Sequence, residues 1–483
     1  MSPGRWPSRN PLAPGRTLPE VWQGLWAARP GSPVLVDGWG SERAVDGADL
    51  DRRTALMAAV LTSHGVGPGD RVLWRARATL ESVAALLAVL RAGAVLVPVS
   101  PSARSPEVAH VVGDAGPVLA LCDGPETGDL IGTGVTVVSV DRLALEAERT
   151  QPGADRDLQP GDDALIVYTS GTTGKPKGAV HTHASLLAGI SSLHRAWAWG
   201  PEDRLVLTLP LFHVHGLCAG LFGTLAAGAS AVVFDRFDPA AVVDAAPGGS
   251  MFFGVPTMYH RLAASGRVHE LAGLRLCVSG SAPLAADLWH RLAGEGVAVL
   301  ERYGMTETLL TLSNPLEGQR RPGSVGLPLP GVEAAVEDVD EQGVGELVVR
   351  GPSLCRGYWG RGALAPGEWF ATGDLVSVAD DGYVSVRGRR TELIISGGHN
   401  VYPAEVEAVL ARHPGVSEVA VVGVPSAEWG ETVVAYVVGD PDLASLDELA
   451  AAELAPFKRP REVRLVDALP RNALGKVVRG ELR

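Results

Sequence analysis

The stretch YTSGTTGKPKGAV, from Tyr168 to Val180, contains the residue types that hold phosphate groups. Glycines allow the backbone to approach an anion closely, hydroxyl groups donate hydrogen bonds, and lysines supply positive charge. The residues of these types are Thr169, Ser170, Gly171, Thr172, Thr173, Gly174, Lys175, Lys177 and Gly178. We therefore favour an anion-binding loop over the alternative, a hydrophilic turn after the apolar strand ALIVYT.

The spacing excludes a Walker phosphate loop. That motif separates its glycines by more than the two residues that lie between Gly171 and Gly174, and its lysine precedes Ser or Thr. Lys175 instead precedes Pro176, which interrupts the helix that a Walker loop opens. The chain is therefore not a P-loop nucleoside triphosphatase.

Composition favours a small-molecule partner. With 483 residues and 46% hydrophobic side chains, the chain is long enough for a large core and more than one domain. The net charge of -13 argues against binding to nucleic acid or an anionic membrane, which need a basic surface. The four cysteines include no CxxC pair, which argues against a zinc cluster or a disulfide framework. A reducing cytoplasm is the expected location.

One uncharged run, from Gly216 to Phe234, approaches the length of a membrane span. Gly228 to Ser230 divides it into a helix-like and a strand-like piece, so we expect a buried core hairpin instead. The first residues are rich in Pro, Gly and Arg and lack the apolar core of a signal peptide. They predict a loose tail.

The elements that must position these residues alternate along the chain. From about residue 45 to 385, strand-like runs alternate with helical patterns, and ESVAALLAVLRAGAVLVPVSP predicts a helix, a stop at Gly93 and a buried strand. This alternation predicts a multi-layer α/β domain around largely parallel sheets. After about Gly382 shorter units predict a smaller α+β domain. The expected organisation is a tail over 1–18, a large domain over 19–388 and a small domain over 389–483.

Six motifs follow one another along the chain: YTSGTTGKPKGAV, SGSAPL, ERYGMTET, TGD, GRRTELIISGGHNVYPAEVE and LPRNALGKVVR. Together they resemble those of the adenylate-forming superfamily of acyl-CoA synthetases, luciferases and adenylation domains, over roughly residues 20 to 483. The patterns LPLFHVHGL, FFGVPTMYHRL and VSGSAPL are most similar to malonyl-CoA and methylmalonyl-CoA synthetases.

The resemblance implies an enzyme that uses ATP, Mg²⁺ and coenzyme A. A carboxylate would attack the α-phosphate of ATP, giving an acyl-adenylate and pyrophosphate, and the thiol of CoA would then displace AMP. The small C-terminal domain would be mobile and rotate between these steps about a hinge near Arg389 to Glu392. Asp or Lys is common in the family at that hinge, and here Thr391 and Glu392 stand there instead.

The resemblance also implies roles for individual residues. Lys476 corresponds to the catalytic lysine that reaches the α-phosphate, Glu307 to the Mg²⁺ ligand and Thr306 to a phosphate contact. Nucleotide contacts are implied for Thr169, Ser170, Gly171, Thr172, Thr173, Gly174, Lys175, Lys177, Ser281, Ala282, Pro283, Glu301, Tyr303, Gly304, Met305, Asp374 and Arg389. Contacts to CoA are implied for Ser396, Gly397 and Gly398. Without the motifs, each could be a surface turn residue, a core aromatic or a solvated lysine.

Arg302 indicates the acid. Its neighbours in ERYGMTET place it beside the acyl pocket, where a guanidinium fits a second carboxylate and serves no purpose for a fatty or aryl acid. His213 and His215 are expected to lie along one face of an extended or irregular segment and to add a donor or shape the pocket floor. The alternatives are that Arg302 pairs with Glu301 and that both histidines are core residues.

Other classes of function fit the sequence less well. No G-x-S-x-G elbow or HExxH helix is present, which excludes the corresponding hydrolases and metalloproteases. The chain ends at Arg483, so CoA is favoured as acceptor, with a separate carrier protein as the alternative. An acyl-CoA ligase for an aryl or other small acid stays open. So does an adenylating enzyme that does not use CoA, such as a diazo-forming relative.

Overall fold

The computed structural model describes residues 15–40, 43–123, 130, 133–169, 176–365, 367–426, 428–471 and 477–482, with the backbone of Arg5 and Trp6. By its internal contacts the chain forms two compact units. The large unit comprises Trp6–Glu333 and Arg350–Trp369. The small unit comprises Met1–Arg5, Ala334–Val349 and Phe370–Arg483. This confirms an α/β protein with a large N-terminal and a smaller C-terminal part.

The α-helices are α1 (Leu18–Ala28), α2 (Gly47–Ser63), α3 (Leu80–Arg91), α4 (Ser105–Ala115), α5 (Val140–Ala147), α6 (His183–Ala196), α7 (Gly223–Ala226), α8 (Pro239–Ala245), α9 (Pro256–Ala264), α10 (Ala286–Gly294), α11 (Pro403–Leu410) and α12 (Leu443–Glu453). A π-helix spans His215–Phe222, and single 3₁₀ turns include Arg390–Glu392 and Arg479–Glu481.

The strands are β1 (Arg5–Trp6), β2 (Pro33–Asp37), β3 (Ala44–Asp46), β4 (Arg71–Arg75), β5 (Val95–Pro98), β6 (Leu119–Cys122), β7 (Thr136–Ser139), β8 (Asp163–Thr169), β9 (Lys177–Thr182), β10 (Arg204–Leu207), β11 (Ser230–Val233), β12 (Met251–Gly254), β13 (Leu276–Ser279), β14 (Val299–Met305), β15 (Leu309–Ser313), β16 (Leu327–Pro328), β17 (Glu333–Glu337), β18 (Val344–Arg350), β19 (Gly357–Tyr358), β20 (Phe370–Val378), β21 (Val384–Arg389), β22 (Ile394–Ser396), β23 (His399–Val401), β24 (Val416–Ser426), β25 (Gly430–Gly439) and β26 (Glu462–Leu465).

Two sheets form the large unit. One has the order β16-β15-β14-β13-β12-β10-β11-β2-β3, and its strands from β14 to β2 run parallel. The other has the order β19-β9-β8-β5-β4-β6-β7, with parallel pairing from β8 to β7. The parallel cores confirm the predicted α/β layers, because crossover helices join parallel strands and cover the sheet faces.

The segment ESVAALLAVLRAGAVLVPVSP folds as predicted. Helix α3 is buried on every side from Val83 to Leu90, so its position is determined by packing rather than by an exposed polar face. Gly93 takes a φ of 78° and ends the turn before the buried strand β5. The uncharged run from Gly216 also divides as predicted, into a helical part and β11. No helix among the described residues is long and apolar enough to cross a membrane.

The predicted α/β alternation up to residue 385 is wrong in its last part. Between α10 and α11 the described residues contain no α-helix, and the chain instead forms the sheet β1-β17-β18-β20-β21. Its pairs β18–β20 and β20–β21 are antiparallel, which requires only short connections. Strand β1 also lies within the segment predicted as a loose tail.

The small unit contains the predicted α+β elements after Gly382. Its second sheet has the order β23-β22-β25-β24, and β26 pairs parallel to β25. Helices α11 and α12 cover one face, where Val406, Leu410 and Leu446 pack against Val421 and Val433. The boundary predicted between residues 388 and 389 lies inside this unit and stays a prediction.

Candidate active site

Four parallel strands of the nine-stranded sheet end at one edge. Val206 of β10 pairs with Phe252 of β12, Gly254 with Ser279 of β13, and Ser279 with Glu301 of β14. The residues that follow these strand ends therefore share one edge of the sheet. In open α/β sheets this carboxyl edge is where ligands bind.

Arg302 lies at this edge and is buried, with 4% of its surface exposed. Its Nε and Nη2 atoms have no hydrogen-bond partner among the described residues. Burial lowers the pKa of its guanidinium to about 9, because removal from water disfavours the charged form. Such a group is costly unless an anion compensates it.

Glu301 does not supply that anion, so the ion pair weighed as an alternative for Arg302 is not formed. The two oxygens of its carboxylate accept hydrogen bonds from the backbone N–H groups of Leu284, at 3.2 Å, and Gly323, at 2.9 Å. Burial raises the pKa of Glu301 to about 7, against the lowering effect of these two hydrogen bonds. Glu301 therefore ties two backbone segments to β14, and its predicted nucleotide contact stays a prediction.

The two predicted histidines were expected on an extended or irregular segment, which fits His213 but not His215. His215 begins the π-helix, and His213 lies in the bend before it. Gly216 is required at this entry, because a Cβ there would come within 2.3 Å of the carbonyl oxygen of Pro210. Isolated π-helical turns are often found at functional sites.

His215 is buried beside Phe253, with ring centroids 6.1 Å apart. Neither of its ring nitrogens has a partner among the described residues. Burial, the positive charge of Arg302 and the proximity of His213 lower its pKa well below the usual value. His215 is therefore a neutral imidazole close enough to Arg302 to be influenced by its positive charge. His213 is half-buried, with its ring 4.4 Å from that of Phe212.

Three further residues at this edge were not singled out from the sequence. The hydroxyl oxygens of Thr208, after β10, and Ser279, at the end of β13, are buried without a partner among the described residues. Gly280 lies against Arg302, since a Cβ built on it would come within 2.4 Å of Cζ. Ser279 and Gly280 begin the motif SGSAPL, whereas the only sequence signal of Thr208 is its position directly after an apolar strand.

The predicted phosphate loop falls largely outside the described residues. The residues of the loop that are not described are Ser170, Gly171, Thr172, Thr173, Gly174 and Lys175. The strands on either side of it are described. Thr169 ends β8 opposite Lys177, which begins β9, and the two residues are paired in register. The Lys177 ammonium lies 5.3 Å from the ring centre of Tyr358. The antiparallel pairing of β8 and β9 therefore brings the two residues that flank the predicted loop side by side.

Glu307 and Thr306 lie where β14 turns into β15. The Glu307 side chain is buried, and its Oε1 accepts a hydrogen bond of 2.9 Å from the hydroxyl of Tyr358. The Thr306 carbonyl accepts a hydrogen bond of 2.8 Å from Nε2 of His181. Burial lowers the pKa of His181 to about 4, so that this histidine is neutral at ordinary pH.

The predicted adenine-lining residues are positioned by unusual backbone. Ser281 has a φ of 71°, and Ser281, Ala282 and Pro283 are exposed, followed by the buried Leu284. The register of β14 against β15 shifts between Tyr303 and Gly304. A Cβ on Gly304 would come within 1.9 Å of the carbonyl oxygen of Leu309, so only glycine fits there. Met305 follows, with its sulfur 4.0 Å from the Tyr303 hydroxyl.

The small unit holds the remaining candidates. Asp374 and Arg389 are opposite each other on β20 and β21 and form an ion pair of 2.6 Å, with Asp374 almost fully buried. Gly397 and Gly398 have φ values of 58° and 81°, after Ser396 at the end of β22. A Cβ on Gly397 would come within 2.9 Å of the Trp429 ring, so packing and the positive φ both favour glycine there, and its predicted contact to CoA stays a prediction. Lys476 lies outside the described residues.

Comparison with known proteins gives consistent matches over most of the chain. The profile of the family described as AMP-binding enzyme matches residues 23–359, and that of the AMP-binding enzyme C-terminal domain matches residues 405–476. A feruloyl-CoA synthase of Amycolatopsis sp is 36% identical over 458 residues, covering 90% of this chain and 93% of that protein. A malonate–CoA ligase of Arabidopsis thaliana is 35% identical over 472 residues, covering 86% of this chain and 78% of that protein.

Among solved structures, ATP-bound MatB from Rhodopseudomonas palustris aligns with a TM-score of 0.90 at 35% sequence identity. The alignment covers 97% of this chain and 98% of that chain. The similarity therefore extends through both the large and the small unit.

Proposed function

This chain belongs to the AMP-binding enzyme family, and on that premise we propose that it ligates a small dicarboxylic acid, malonate or methylmalonate, to coenzyme A. It is an AMP-forming acyl-CoA synthetase that uses ATP and CoA, as its CoA ligase relatives do.

The buried guanidinium of Arg302 is the observation that carries the proposal. Two of its nitrogens lack partners among the described residues, and Glu301 is engaged elsewhere. An isolated buried charge costs about 3–5 kcal/mol when its partner is missing. A substrate with a second carboxylate removes that cost on binding, whereas an acid with an alkyl or aryl tail leaves the buried charge unpaired.

His215 favours the same class of acid. Its neutral ring offers one N–H donor, and the hydroxyl groups of Thr208 and Ser279 lie at the same sheet edge. A carboxylate accepts several hydrogen bonds, so these donors satisfy the oxygen lone pairs that Arg302 leaves open. A fatty or aryl tail would satisfy none of these groups.

In the proposed reaction, the carboxylate at the other end of malonate attacks the α-phosphate of ATP and expels pyrophosphate. The CoA thiolate then attacks the acyl carbon and expels AMP. Lys476 would place a positive charge between the two anions in the first step, where charge concentrates. The loop between β8 and β9, with Lys177, would hold the β- and γ-phosphates. Asp374 would accept hydrogen bonds from the ribose hydroxyls.

Magnesium fits as a partner of Glu307. Mg²⁺ usually binds one or two carboxylates and completes its coordination with substrate phosphates and water. Among the described residues there is no cluster of three or more candidate metal ligands. Glu307 is a buried carboxylate oriented by Tyr358, which suits a single protein ligand. When bound, the ion neutralises phosphate charge, and Glu307 holds it in place.

An aryl acid is the second candidate, favoured by the identity of 36% to a feruloyl-CoA synthase. A separate carrier protein as acceptor and an adenylating reaction without CoA are further alternatives. Cytoplasmic location also stays a prediction, for which the four free buried cysteines are consistent support.

Pyrophosphate release with ATP and Mg²⁺ tests the proposal, measured with malonate, methylmalonate, succinate, acetate, hexanoate and ferulate, each with and without CoA. We expect malonate or methylmalonate to exceed acetate and ferulate in kcat/KM by about 100-fold or more, since leaving a buried charge unpaired costs a few kcal/mol. Thioester formation must require CoA. A higher kcat/KM with ferulate or hexanoate would contradict the assignment of a dicarboxylic acid as substrate. A final product that forms without CoA would contradict the assignment of CoA as acceptor.

A further inference from the structure

Arg479 joins three elements of the small unit that are distant in sequence. Its Nη1 donates to Oε2 of Glu392 at 3.0 Å, and its Nη2 donates to both carboxylate oxygens of Glu407, at 2.8 and 3.0 Å. The three side chains keep only 24%, 21% and 17% of their exposure. Partly buried, charge-assisted hydrogen bonds from one guanidinium to two carboxylates fix geometry better than exposed ion pairs do.

Each of the two carboxylates belongs to a defined element. Glu392 ends the 3₁₀ turn Arg390–Glu392, which directly follows β21. Glu407 lies on α11 and also accepts a hydrogen bond of 2.8 Å from the backbone N–H of Val421 on β24. Glu407 is therefore held by the sheet, and Arg479 connects this fixed point to the turn at Glu392.

Arg479 itself lies at the base of the segment that leads to and from Lys476. Arg471 and Val477 form an isolated antiparallel bridge, and the N–H of Val478 donates to the carbonyl of Pro470 at 2.8 Å. Leu469 and Leu482 pack beside Val434 in a core cluster of the same unit. Both ends of the segment are thus anchored, with Lys476 directly before the residue that closes the bridge.

The charges of the three side chains favour the contact of Arg479 with Glu392 and Glu407. Burial opposes the positive charge of Arg479, but the carboxylates of Glu407 and Glu392 outweigh it and raise its pKa above the usual value. The guanidinium of Arg479 is therefore held in its charged form by the two carboxylates that it contacts.

We propose that Arg479 is a positioning residue for adenylate formation, which fixes the Lys476 segment to the turn at Glu392. The inference rests on the proposed function of Lys476 and of the hinge at Arg389 to Glu392. If the small domain rotates about that hinge, the position of Lys476 at the α-phosphate depends on how rigidly the residues around Lys476 are connected to the 3₁₀ turn that contains Glu392. A misplacement of about 1 Å of a catalytic group costs about 100-fold in rate.

The test measures the two half-reactions separately, with whichever acid the wild-type enzyme accepts. Adenylate formation is followed by pyrophosphate release or exchange, and thioester formation by adding CoA to supplied acyl-adenylate. We expect Arg479→Gln to slow adenylate formation by about 100-fold and thioester formation by less than about 3-fold. Arg479→Lys keeps one charged contact and should recover part of the loss.

Two further variants separate positioning from stability. Glu392→Ala removes only the contact to the turn and should reproduce most of the selective loss. The double variant with Arg479→Gln should be no slower than Arg479→Gln alone. Arg464→Gln breaks the ion pair with Glu462 on β26 of the same unit and serves as the matched control with normal rates. Thermal unfolding of every variant shows whether it is folded.

Equal loss of both half-reactions in a folded Arg479→Gln, or no loss in either, overturns the proposal. If the rate losses of the two single variants add up in the double variant, the proposed link between Arg479 and Glu392 is wrong. Lys476→Ala in the same assay separates the two assignments: if it keeps adenylate formation, the proposed function of Lys476 fails. If it loses adenylate formation while Arg479→Gln does not, only the positioning role fails.

Discussion

The guanidinium of Arg302 packs directly against the backbone of Gly280, so closely that a Cβ on Gly280 would come within 2.4 Å of Cζ. Gly280 follows β13 and Arg302 lies on the neighbouring strand β14. The absence of a side chain at residue 280 thus creates the space in which the charge of Arg302 is buried. Activity and specificity are expected to depend on both residues together.

Replacing Arg302 with leucine should remove the preference for dicarboxylates. Leucine fills the apolar part of the space but cannot pair with a second carboxylate, so we expect kcat/KM for malonate to fall by about 100-fold or more. Activity with acetate should stay within a few-fold of the wild-type value. The ratio of kcat/KM for malonate to kcat/KM for acetate should therefore become smaller or reverse. Arg291→Leu, on the exposed face of α10, is the control. Full malonate activity in Arg302→Leu would reject the proposed acid.

Replacing Gly280 with alanine should disturb the same site by crowding. The new methyl group displaces the Arg302 guanidinium, so KM for the dicarboxylate should rise by about 10-fold or more, as expected for a shift of the order of 1 Å. Gly294→Ala adds a methyl group on α10, where nothing lies within 4 Å, and controls for the change of residue type. An unchanged KM would show that Arg302 does not contact the acid from this position.

Replacing Tyr358 with phenylalanine should weaken the response to magnesium. The substitution removes the hydrogen bond to Glu307 but keeps the ring face beneath Lys177. Loss of a group that orients a metal ligand typically costs about 10–100-fold in affinity or activity. The Mg²⁺ concentration for half-maximal adenylate formation should therefore rise by about 10-fold. Tyr436→Phe, which removes a hydroxyl from the small unit, should leave the Mg²⁺ titration unchanged; the same shift in both variants would count against the assignment.

The stability of the protein should fall as the pH drops from 6.5 toward 4, in part because of His181. Burial lowers the pKa of His181 from 6.5 to about 4, so in this range the unfolded chain takes up a proton that the folded chain does not. The free energy of unfolding then decreases by up to about 3 kcal/mol from this residue. His183, whose pKa burial also lowers to about 4, adds to the effect.

His181→Gln tests this account, because its amide can still donate to the Thr306 carbonyl but does not titrate. The unfolding temperature, measured from pH 7 to pH 4.5, should vary less with pH than that of the wild type. His290→Gln, at an exposed position, is the control. An identical pH dependence in His181→Gln and wild type would assign the acid lability to other groups.

Local sequence patterns predicted the elements and the order of the motifs. The helix α3 with its stop at Gly93, the parallel cores and the elements after Gly382 follow from periodicity and turn residues, which act over a few residues. The antiparallel sheet from β17 to β21 was not predicted, because short apolar strands have the same local pattern in parallel and antiparallel sheets. The local signal for it is the dipeptide Asp381–Gly382 between β20 and β21, which is typical of a hairpin turn. The family followed from the motifs alone.

The sequence by itself determined that Arg302 stands beside a nucleotide motif and is a candidate for a second carboxylate. Only the tertiary structure decided that Glu301 turns to the backbone of Leu284 and Gly323, that Gly280 makes room for the guanidinium, and that His215 is neutral. These properties depend on which groups are withdrawn from water and which partners they meet. Parallel strands bring such partners together from distant parts of the chain, and local sequence patterns do not predict these long-range contacts.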